Sequence, residues 1–386
     1  MKRSILILLC LLSLMSASAC TDFVEPNQLA FVMGTAIDQG EDGLIEISEQ
    51  IVVPSKLSGP FEGGSSGDAG SSVVMSATGR DIFEASEKIQ KKMSRRLMTS
   101  HRILIAVSET FFNQNDGGKL FDKLGRDPAN NLRDIMIVVK GGRAKDILML
   151  PHPMENITSI AAGKELQING LNKFSSRQLI VEHYTDGLRP LLPVLRMEKI
   201  KADDKESRPM AVLAGFAALN KQLRVKGVLE ESESFAAVWM SGKETYQGLT
   251  IPWKDGHGML SFRLVRLKRK IRTRSCGDSK CAELRVKAQA YLLENTTSLD
   301  MSQLRNMTEV EKYMNEQIQQ SFQLTMDKVQ RWGPDIFGIG EQFHRRYPYW
   351  WKSRRDNWDE LFKTVDVTVK SRIQLVSIGS SGGPMK

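Results

Sequence analysis

The chain has 386 residues and a formal net charge of +9, with 41% hydrophobic and 26% charged residues. These proportions are typical of a globular protein. Beyond residue 20, no apolar run approaches the roughly 20 residues of a membrane-spanning helix. The positive charge is too widely spread to indicate a nucleic-acid-binding protein, although it is compatible with a position near anionic lipid.

The first twenty residues have the pattern of a secretory signal peptide. A basic start, Met1-Lys2-Arg3, precedes an apolar run from Ile5 to Met15 and the small residues 16–19. As a helix this run rises only about 16 Å, roughly half the hydrocarbon thickness, so it cannot span a bilayer as a stable anchor. Removing residues 1–19 takes away Lys2 and Arg3, which lowers the formal charge from +9 to +7. The remaining chain is long enough for two or three domains.

Cys20, directly after the small residues, is the predicted site of lipid attachment. The pattern resembles a bacterial lipobox, in which a diacylglycerol on the cysteine sulfur anchors the mature chain. The lipobox generally has Leu where this chain has Ala17. The alternative is an ordinary secretory cleavage at A-x-A that leaves Cys20 as a thiol. We favour the lipoprotein because two acyl chains give lasting attachment without a spanning helix.

Residues 20–150 are predicted to form an N-terminal domain in which strands and helices alternate. Thr78 and Asp81 are placed to cap a helix whose apolar stripe runs from Ile82 to Leu97. A second helix is predicted at 144–150. The predicted strands are 29–37 and 44–53, which form a hairpin, and 103–107 and 134–139.

The Ser/Gly-rich run 58–72 is predicted to be a mobile loop. It contains Gly63, Ser65 and Gly67 in a formal match to the nucleophile elbow of serine hydrolases. That elbow requires a buried strand before it and a helix after it, and a flexible run supplies neither. We therefore interpret the match as coincidence.

Residues 151–258 are predicted to form a middle domain. Helical patterns at 154–167 and 175–188 precede a polar run at 201–207, which is the best linker candidate in the chain. Paired strands are predicted at 211–219 and 223–228.

The C-terminal domain, 259–378, opens with a long hairpin, 261–293, whose strands alternate with period two. On its first strand basic residues occupy alternate positions: Arg266, Lys268, Lys270, Arg272 and Arg274. One face of the hairpin is therefore core and the other is basic. The basic face is predicted to be either a solvated sheet surface or a contact for lipid headgroups or a partner protein.

Cys276 and Cys281 bracket the tip of this hairpin, where a disulfide would join its two strands. An exported protein lies in an oxidising compartment, which favours this bond. A metal site is disfavoured because no His lies nearby to complete a ligand set.

A long helix with a predicted capping box at Thr308 and Glu311 leads into a segment, 335–358, rich in aromatic and basic residues that include Arg345 and Arg346. Such a segment resembles a single-stranded nucleic-acid platform. An exported protein has no such ligand, so packing over a sheet is the better interpretation, with Arg345 and Arg346 as possible partner or lipid contacts. The strand to be covered begins near Val365, and the tail 379–386 is predicted to be disordered.

Several stretches together carry a family resemblance. They are LAFVMGTAID at 29–38, GRDIFEA at 79–85, RRLMTSH at 95–101, RDP at 126–128, GPDIFGIG at 333–340 and FHRRYP at 343–348. In order and spacing the chain resembles the Ger(x)C family, the lipoprotein C subunits of nutrient germinant receptors in spore-forming bacteria. The resemblance covers nearly the whole mature chain.

The predicted fold class is α+β, with three consecutive domains, each a mixed or antiparallel sheet flanked by helices. The resemblance implies a place on the outer face of the spore inner membrane, and polytopic A-type and B-type receptor subunits as partners. It also implies a role in germination in response to nutrients.

An enzyme is disfavoured, because the chain has no H-E-x-x-H, P-loop or G-x-G-x-x-G motif and its five His residues have no ligand-spaced partners. No cofactor and no metal are predicted. The remaining alternative is a solute-binding lipoprotein of an uptake system, although such proteins usually repeat strand–helix crossovers in two lobes, whereas this chain shows antiparallel hairpins.

Overall fold

The structure is a computed structural model that describes residues 24–52, 72–127, 130–203, 206–243, 247–277 and 279–379. The predicted signal peptide, Cys20, the G-x-S-x-G match and all but the first residue of the predicted tail lie outside these residues. The described part contains two sheets flanked by helices. The predicted α+β class is therefore confirmed.

The first sheet contains nine described strands between residues 29 and 229. Its strands are β1 (Leu29–Gln39), β2 (Ile45–Val52), β3 (Ser72–Gly79), β4 (Arg96–Met98), β5 (Leu104–Ser108), β6 (Ile135–Lys140), β7 (Leu191–Asp203), β8 (Glu206–Leu219) and β9 (Val225–Leu229). Among the described residues the order is β3-β2-β1-β5-β6-β7-β8-β9, with β4 paired to β1. The central pairs β1/β5, β5/β6 and β6/β7 are parallel. Accordingly β5 and β6 are apolar along almost their whole length, as strands covered on both faces are.

Helices cover both faces of this sheet. They are α1 (Ile82–Gln90), α2 (Glu109–Gln114), α3 (Gly117–Arg126), α4 (Ala144–Met149), α5 (Thr158–Ile168) and α6 (Ser176–Tyr184). Ile105 and Met136 face a core with α1, α2 and α6. Their chain neighbours Leu104 and Ile137 face the opposite core, with α4 and α5. The two cores alternate along each strand because successive side chains point to opposite faces.

The predicted N-terminal hairpin is confirmed, since β1 and β2 pair antiparallel. The predicted Thr78–Asp81 capping pair is wrong in detail. Asp81 alone is the N-cap of α1, with its carboxylate accepting from the Glu84 amide at 2.8 Å, while Thr78 belongs to β3. The helix also ends earlier than predicted, at Gln90. Leu97, which was expected on its apolar stripe, lies in β4, and its amide donates to the Gln90 side chain.

The polar run 201–207 is not a linker. Its described residues continue β7 and β8, and Lys201 pairs with Ser207 across the two strands. The exposed end of a hairpin has the same polar composition as a linker, so composition alone does not separate them. The predicted boundary at 150 lies between β6 and β7, which are neighbours in one sheet. The division into three domains therefore stays a prediction.

The second sheet and its helices form the C-terminal part of the described chain. Its strands are β10 (Gln247–Pro252), β11 (Met259–Cys276), β12 (Ser279–Asn295) and β13 (Asp366–Ser377), in the order β10-β11-β12-β13. The helices here are α7 (Glu231–Ser241), α8 (Leu304–Trp332), α9 (Ile339–Arg346), α10 (Pro348–Lys352) and α11 (Trp358–Phe362). Inner-face residues such as Leu284 share a core with Phe322 and Trp358 of the helices. The predicted cover of helix and loop over this sheet is confirmed.

The start of the long helix differs from the sequence prediction, and a contact between the two sheets could not be predicted from the sequence. The helix α8 begins at Leu304, so Thr308 lies inside it and donates to the Leu304 carbonyl. The predicted capping box of Thr308 and Glu311 is therefore wrong. The two sheets are also joined through α7, whose Phe235 ring lies 5.8 Å from the ring of Phe322.

Candidate functional site

The hairpin formed by β11 and β12 has a buried face and a basic face. Leu284, Val286 and Ala290 of β12 are buried against the helices. On β11 the predicted basic residues Lys268, Lys270, Arg272 and Arg274 are all exposed on the opposite, outer face. The structure thus brings these four side chains to one surface.

Arg266 sits at a β-bulge that the sequence pattern did not reveal. The register with β12 shifts between Val265 and Lys268, and Arg266 has φ 54°. Because of the extra residue, the side chains that point inward are even-numbered before the bulge, as in Phe262 and Leu264, and odd-numbered after it, as in Leu267 and Ile271. Arg266 is exposed at this turn of the strand, next to the four cations rather than in their alternating series.

A third strand, β13, adds cations that were absent from the predicted site. β13 runs parallel to β12 with Lys370 opposite Arg285 and Arg372 opposite Lys287. Val367 and Val369 alternate with Thr368 and Lys370 in the sequence. This period-two pattern could have predicted that Lys370 and Arg372 lie on the outer face of the sheet. We call the resulting surface the basic face. Its members are Lys268, Lys270, Arg272, Arg274, Arg285, Lys287, Lys370 and Arg372.

Two rows of the basic face carry a cation on each of three neighbouring strands. One row is Lys268, Lys287 and Arg372; the other is Lys270, Arg285 and Lys370. Like charges directly opposite each other destabilise a sheet. This arrangement therefore opposes folding locally and is not explained by the stability of the sheet.

Glu283 is an acidic side chain that lies among these cations, directly opposite Arg272, and Asp366 lies on the same face in the row of Arg274. Glu283 accepts hydrogen bonds from Arg285 and from Lys370, whose Nζ lies 2.9 Å from its carboxylate. These bonds, first from Arg285 and then from Lys370, lower the pKa of Glu283 to about 2. The carboxylate is therefore ionised at neutral pH and offsets part of one row, while Lys268, Lys287 and Arg372 face solvent together.

Arg345 and Arg346, the other predicted contact residues, are not part of the basic face. They lie on α9, in the helical layer that covers the inner side of the sheet, and both are exposed. Arg345 pairs with Glu341 one turn earlier. The guanidinium of Arg346 lies 5.7 Å from the Tyr347 ring, and that ring also receives Lys280 of the hairpin tip at 4.8 Å.

Cys276 and Cys281 are bonded to each other in the structure, with Cα atoms 5.9 Å apart. That separation is ordinary for a disulfide. The two residues are not direct cross-strand partners, since Cys276 opposes Ser279 and Cys281 opposes Arg274. The bond joins β11 to β12 at the end of the basic face.

The stretch GPDIFGIG at 333–340 forms a junction between the two parts of the chain. Asp335 is fully buried, and its carboxylate accepts from the amides of Phe337 and Gly340 and from the Trp358 indole. Burial raises the pKa of Asp335 to about 6, against these bonds, which lower it. Its backbone carbonyl accepts from the Arg189 amide at 2.9 Å. This stretch is therefore structural.

A cavity of about 660 Å³ lies between α1 and α3. Charged groups at its rim are bonded to one another: Arg126 to Asp122, and Lys123 to Asp127.

Within the described ranges, His, Cys, Asp and Glu form no group able to hold a metal ion. No helix in that part of the chain is both long and apolar enough to cross a membrane.

The described residues thus place a cluster of exposed cations on the outer side of the second sheet. Comparison with known proteins gives the class of protein. Residues 22–197 match the family described as "Spore germination protein N-terminal domain", and residues 214–379 match "Spore germination B3/ GerAC like, C-terminal". The chain belongs to this GerAC-like family of spore germination proteins.

Similar proteins extend over the whole length. The chain is 24% identical to spore germination protein KC of Bacillus subtilis (strain 168), covering 100% of this chain and 98% of that protein. It is 21% identical to spore germination protein B3 of the same organism, over 96% of each chain. The crystal structure of the GerBC protein superposes with a TM-score of 0.54 at 18% identity, covering 92% of this chain and 100% of that one. This likeness shows a shared fold.

Proposed function

We propose that this protein is a lipid-anchored, non-catalytic C-type subunit of a nutrient germinant receptor. The observation that carries the proposal is the match to spore germination families at both ends of the chain, over 22–197 and 214–379. Relatives that match along nearly their full length have germination names as well. A receptor role accounts for folded domains that present a contact surface.

The anchor in this proposal is a diacylglycerol on Cys20, which follows a short apolar run and small residues. Exported through its signal peptide, the protein would then be held on the outer face of the spore inner membrane. Two acyl chains are sufficient for stable attachment without a spanning helix.

Partner subunits that cross the membrane complete the proposed receptor. A protein attached to one face reaches the other side only through proteins that span the bilayer. We therefore assign polytopic A-type and B-type subunits as the partners. Arg345 and Arg346, which are exposed on α9 and lie apart from the basic face, offer charged contacts for such an assembly.

Deletion in the producing organism tests the proposal. Spores of the deletion strain should fail to germinate in response to one class of nutrient, while vegetative growth and nutrient uptake stay normal. Restoring the wild-type chain should restore the response. An uptake defect in growing cells combined with normal germination would instead identify a solute-binding lipoprotein and overturn the receptor assignment.

A further inference from the structure

We propose that the basic face binds the headgroups of anionic phospholipids, so that the outer side of the second sheet lies against the membrane. The proposal rests on the lipid-anchored function only in requiring a membrane near the protein. The binding itself follows from the charges and their placement on β11, β12 and β13.

The first argument is the density of like charge. Neighbouring strands lie about 4.8 Å apart, and alternate residues on one strand about 6.8 Å apart, so the backbone brings the basic side chains of this face out close to one another. In the row of Lys268, Lys287 and Arg372 the cross-strand neighbours are all positive. External anions would remove this repulsion. Glu283 bonds to Arg285 and Lys370 in the adjacent row, so it leaves this row uncompensated.

The second argument is that these cations cannot turn inward. The residues between them, such as Val286, Val369 and Ile373, are buried against the helices at 1% exposure each. Each basic side chain therefore projects from the other side of the sheet, and the Lys370 side chain is 58% exposed. A solvated charged surface is the simplest alternative, but solvation alone does not account for cations concentrated on three adjacent strands.

The third argument is the apolar end of the same face. Beyond the cationic rows, Leu293 of β12 and Val376 of β13 are 56% and 37% exposed, and Tyr291 is half-buried beside them. Leu293 and Val376 both lie where the strand register shifts. Surfaces that rest in the headgroup region of a bilayer combine Lys and Arg with apolar and aromatic side chains in this way.

The fourth argument separates a lipid surface from an acidic protein segment. A single acidic strand or helix would pair with one row of cations. The basic face instead places cations on three neighbouring strands in two adjacent rows, and along β11 alone it continues through Arg272 to Arg274. Many small anions spread over a plane, as in a bilayer of phosphatidylglycerol, complement that distribution of charge.

The test uses the mature chain expressed from Thr21 without an acyl group. The described fold begins at Val24, so this chain retains every element given above. Sedimentation with vesicles of phosphatidylcholine alone, or with phosphatidylglycerol added, measures binding at low and at high salt. The wild-type protein should bind only the vesicles that contain phosphatidylglycerol, and salt should weaken this binding.

The diagnostic variant is Lys268→Glu with Arg372→Glu. It places acidic side chains on both sides of Lys287, so the sheet should fold at least as well as the wild type, which a thermal melt checks. The matched control is Lys91→Glu with Arg95→Glu, which changes two exposed basic residues just after α1 by the same total charge. The milder pair Lys268→Gln with Arg372→Gln replaces the reversal if the first variant does not fold.

We expect binding of the reversed variant to phosphatidylglycerol vesicles to fall by about tenfold or more, since each cation near an anionic membrane contributes appreciably. The control should lose much less. Equal losses in both variants, unchanged binding, or equal binding to both vesicle types would overturn the proposal. If the wild type binds no vesicles, and a receptor subunit that co-purifies with the wild type fails to co-purify with the reversed variant, the face would be assigned to a protein partner. None of these outcomes depends on the germination phenotype of the deletion strain.

Discussion

The carboxamide of Asn315 on α8 bonds both backbone groups of Ile373 on β13. Its Nδ2 donates to the Ile373 carbonyl at 2.7 Å, and its Oδ1 accepts from the Ile373 amide at 2.7 Å. β13 is the last strand in the order of the second sheet. A helix side chain thus takes the place that a further strand would occupy.

The same relationship repeats along α8. Glu311 and Gln323 accept from the amides of Leu375 and Val369, and Gln319 accepts from Ser371. Four helical residues rise about 6.0 Å and two strand residues about 6.6 Å, so side chains at i, i+4 and i+8 stay in step with alternate strand positions. An unpaired strand edge is a site for aggregation, and this series of polar side chains covers it.

Replacing one member of this series should destabilise the protein. Gln319→Ala leaves the Ser371 amide and the Val369 carbonyl without their partner, which should lower the free energy of unfolding by about 1–3 kcal/mol. Gln320→Ala is the control, because the neighbouring Gln320 is exposed on the same helix. Urea unfolding of both variants measures the difference, and equal midpoints would show that the edge bonds contribute nothing.

Gly187 marks a close backbone approach between the two parts of the chain. It has φ 73°, and a Cβ placed on it would lie 2.4 Å from the carbonyl carbon of Gly340. Gly187→Ala should therefore cost about 3 kcal/mol or more, from backbone strain and overlap together. Gly141 has the same φ with nothing within 4 Å, so Gly141→Ala should cost only about 1–2 kcal/mol. Similar melting temperatures for the two variants would refute the close packing.

Glu49 should make the stability of the first sheet depend on pH. It is buried, and that burial raises its pKa to about 7, although Arg102 and the hydrogen bond from Thr35 act in the opposite direction. Between about pH 4.5 and pH 7 the unfolded carboxyl is ionised while the folded one holds its proton, so stability falls as pH rises through this window, by up to about 3 kcal/mol. Glu49→Gln should remove this fall.

Thermal melts of wild type and Glu49→Gln from pH 4.5 to pH 7.5 check this prediction. The two curves of melting temperature against pH should separate progressively, with the variant gaining on the wild type as pH increases. Parallel curves would mean that the Glu49 carboxyl ionises alike in the folded and unfolded chains.

The disulfide between Cys276 and Cys281 should be present in protein isolated from its native membrane. It closes a short loop, so it restricts the unfolded chain little, and we expect a stabilisation of about 1–3 kcal/mol. Cys276→Ser with Cys281→Ser should therefore still fold. Mass spectrometry of the isolated protein, alkylated before reduction, is the measurement. Detection of two alkylated thiols would contradict the assignment.

Cys20 should be the residue that holds the protein on the membrane. Cys20→Ala removes the sulfur that accepts the diacylglycerol, so the protein should accumulate as uncleaved precursor or be released. Cell fractionation with wild type as reference measures this. Normal processing and undiminished membrane attachment of the variant would show that another feature anchors the chain.

Elements with a local pattern could be predicted from the sequence. Period-two alternation placed the basic residues of β11 from Lys268 to Arg274 on one face and Leu284 and Val286 of β12 on the other, because a strand fixes that alternation wherever no bulge interrupts it. The α+β class, the N-terminal hairpin and the aromatic layer over the second sheet followed from similar local signals.

Contacts between distant segments became visible in the folded structure. It placed Lys370 and Arg372 beside β12, set Asn315 against Ile373, and brought Gly187 to Gly340. It also assigned residues on both sides of the predicted boundary at 150 to one sheet. These relationships join residues between 56 and 153 positions apart in the chain. Composition and periodicity report the surroundings of a residue only over a few neighbours, so pairing between distant strands and helices lies beyond them.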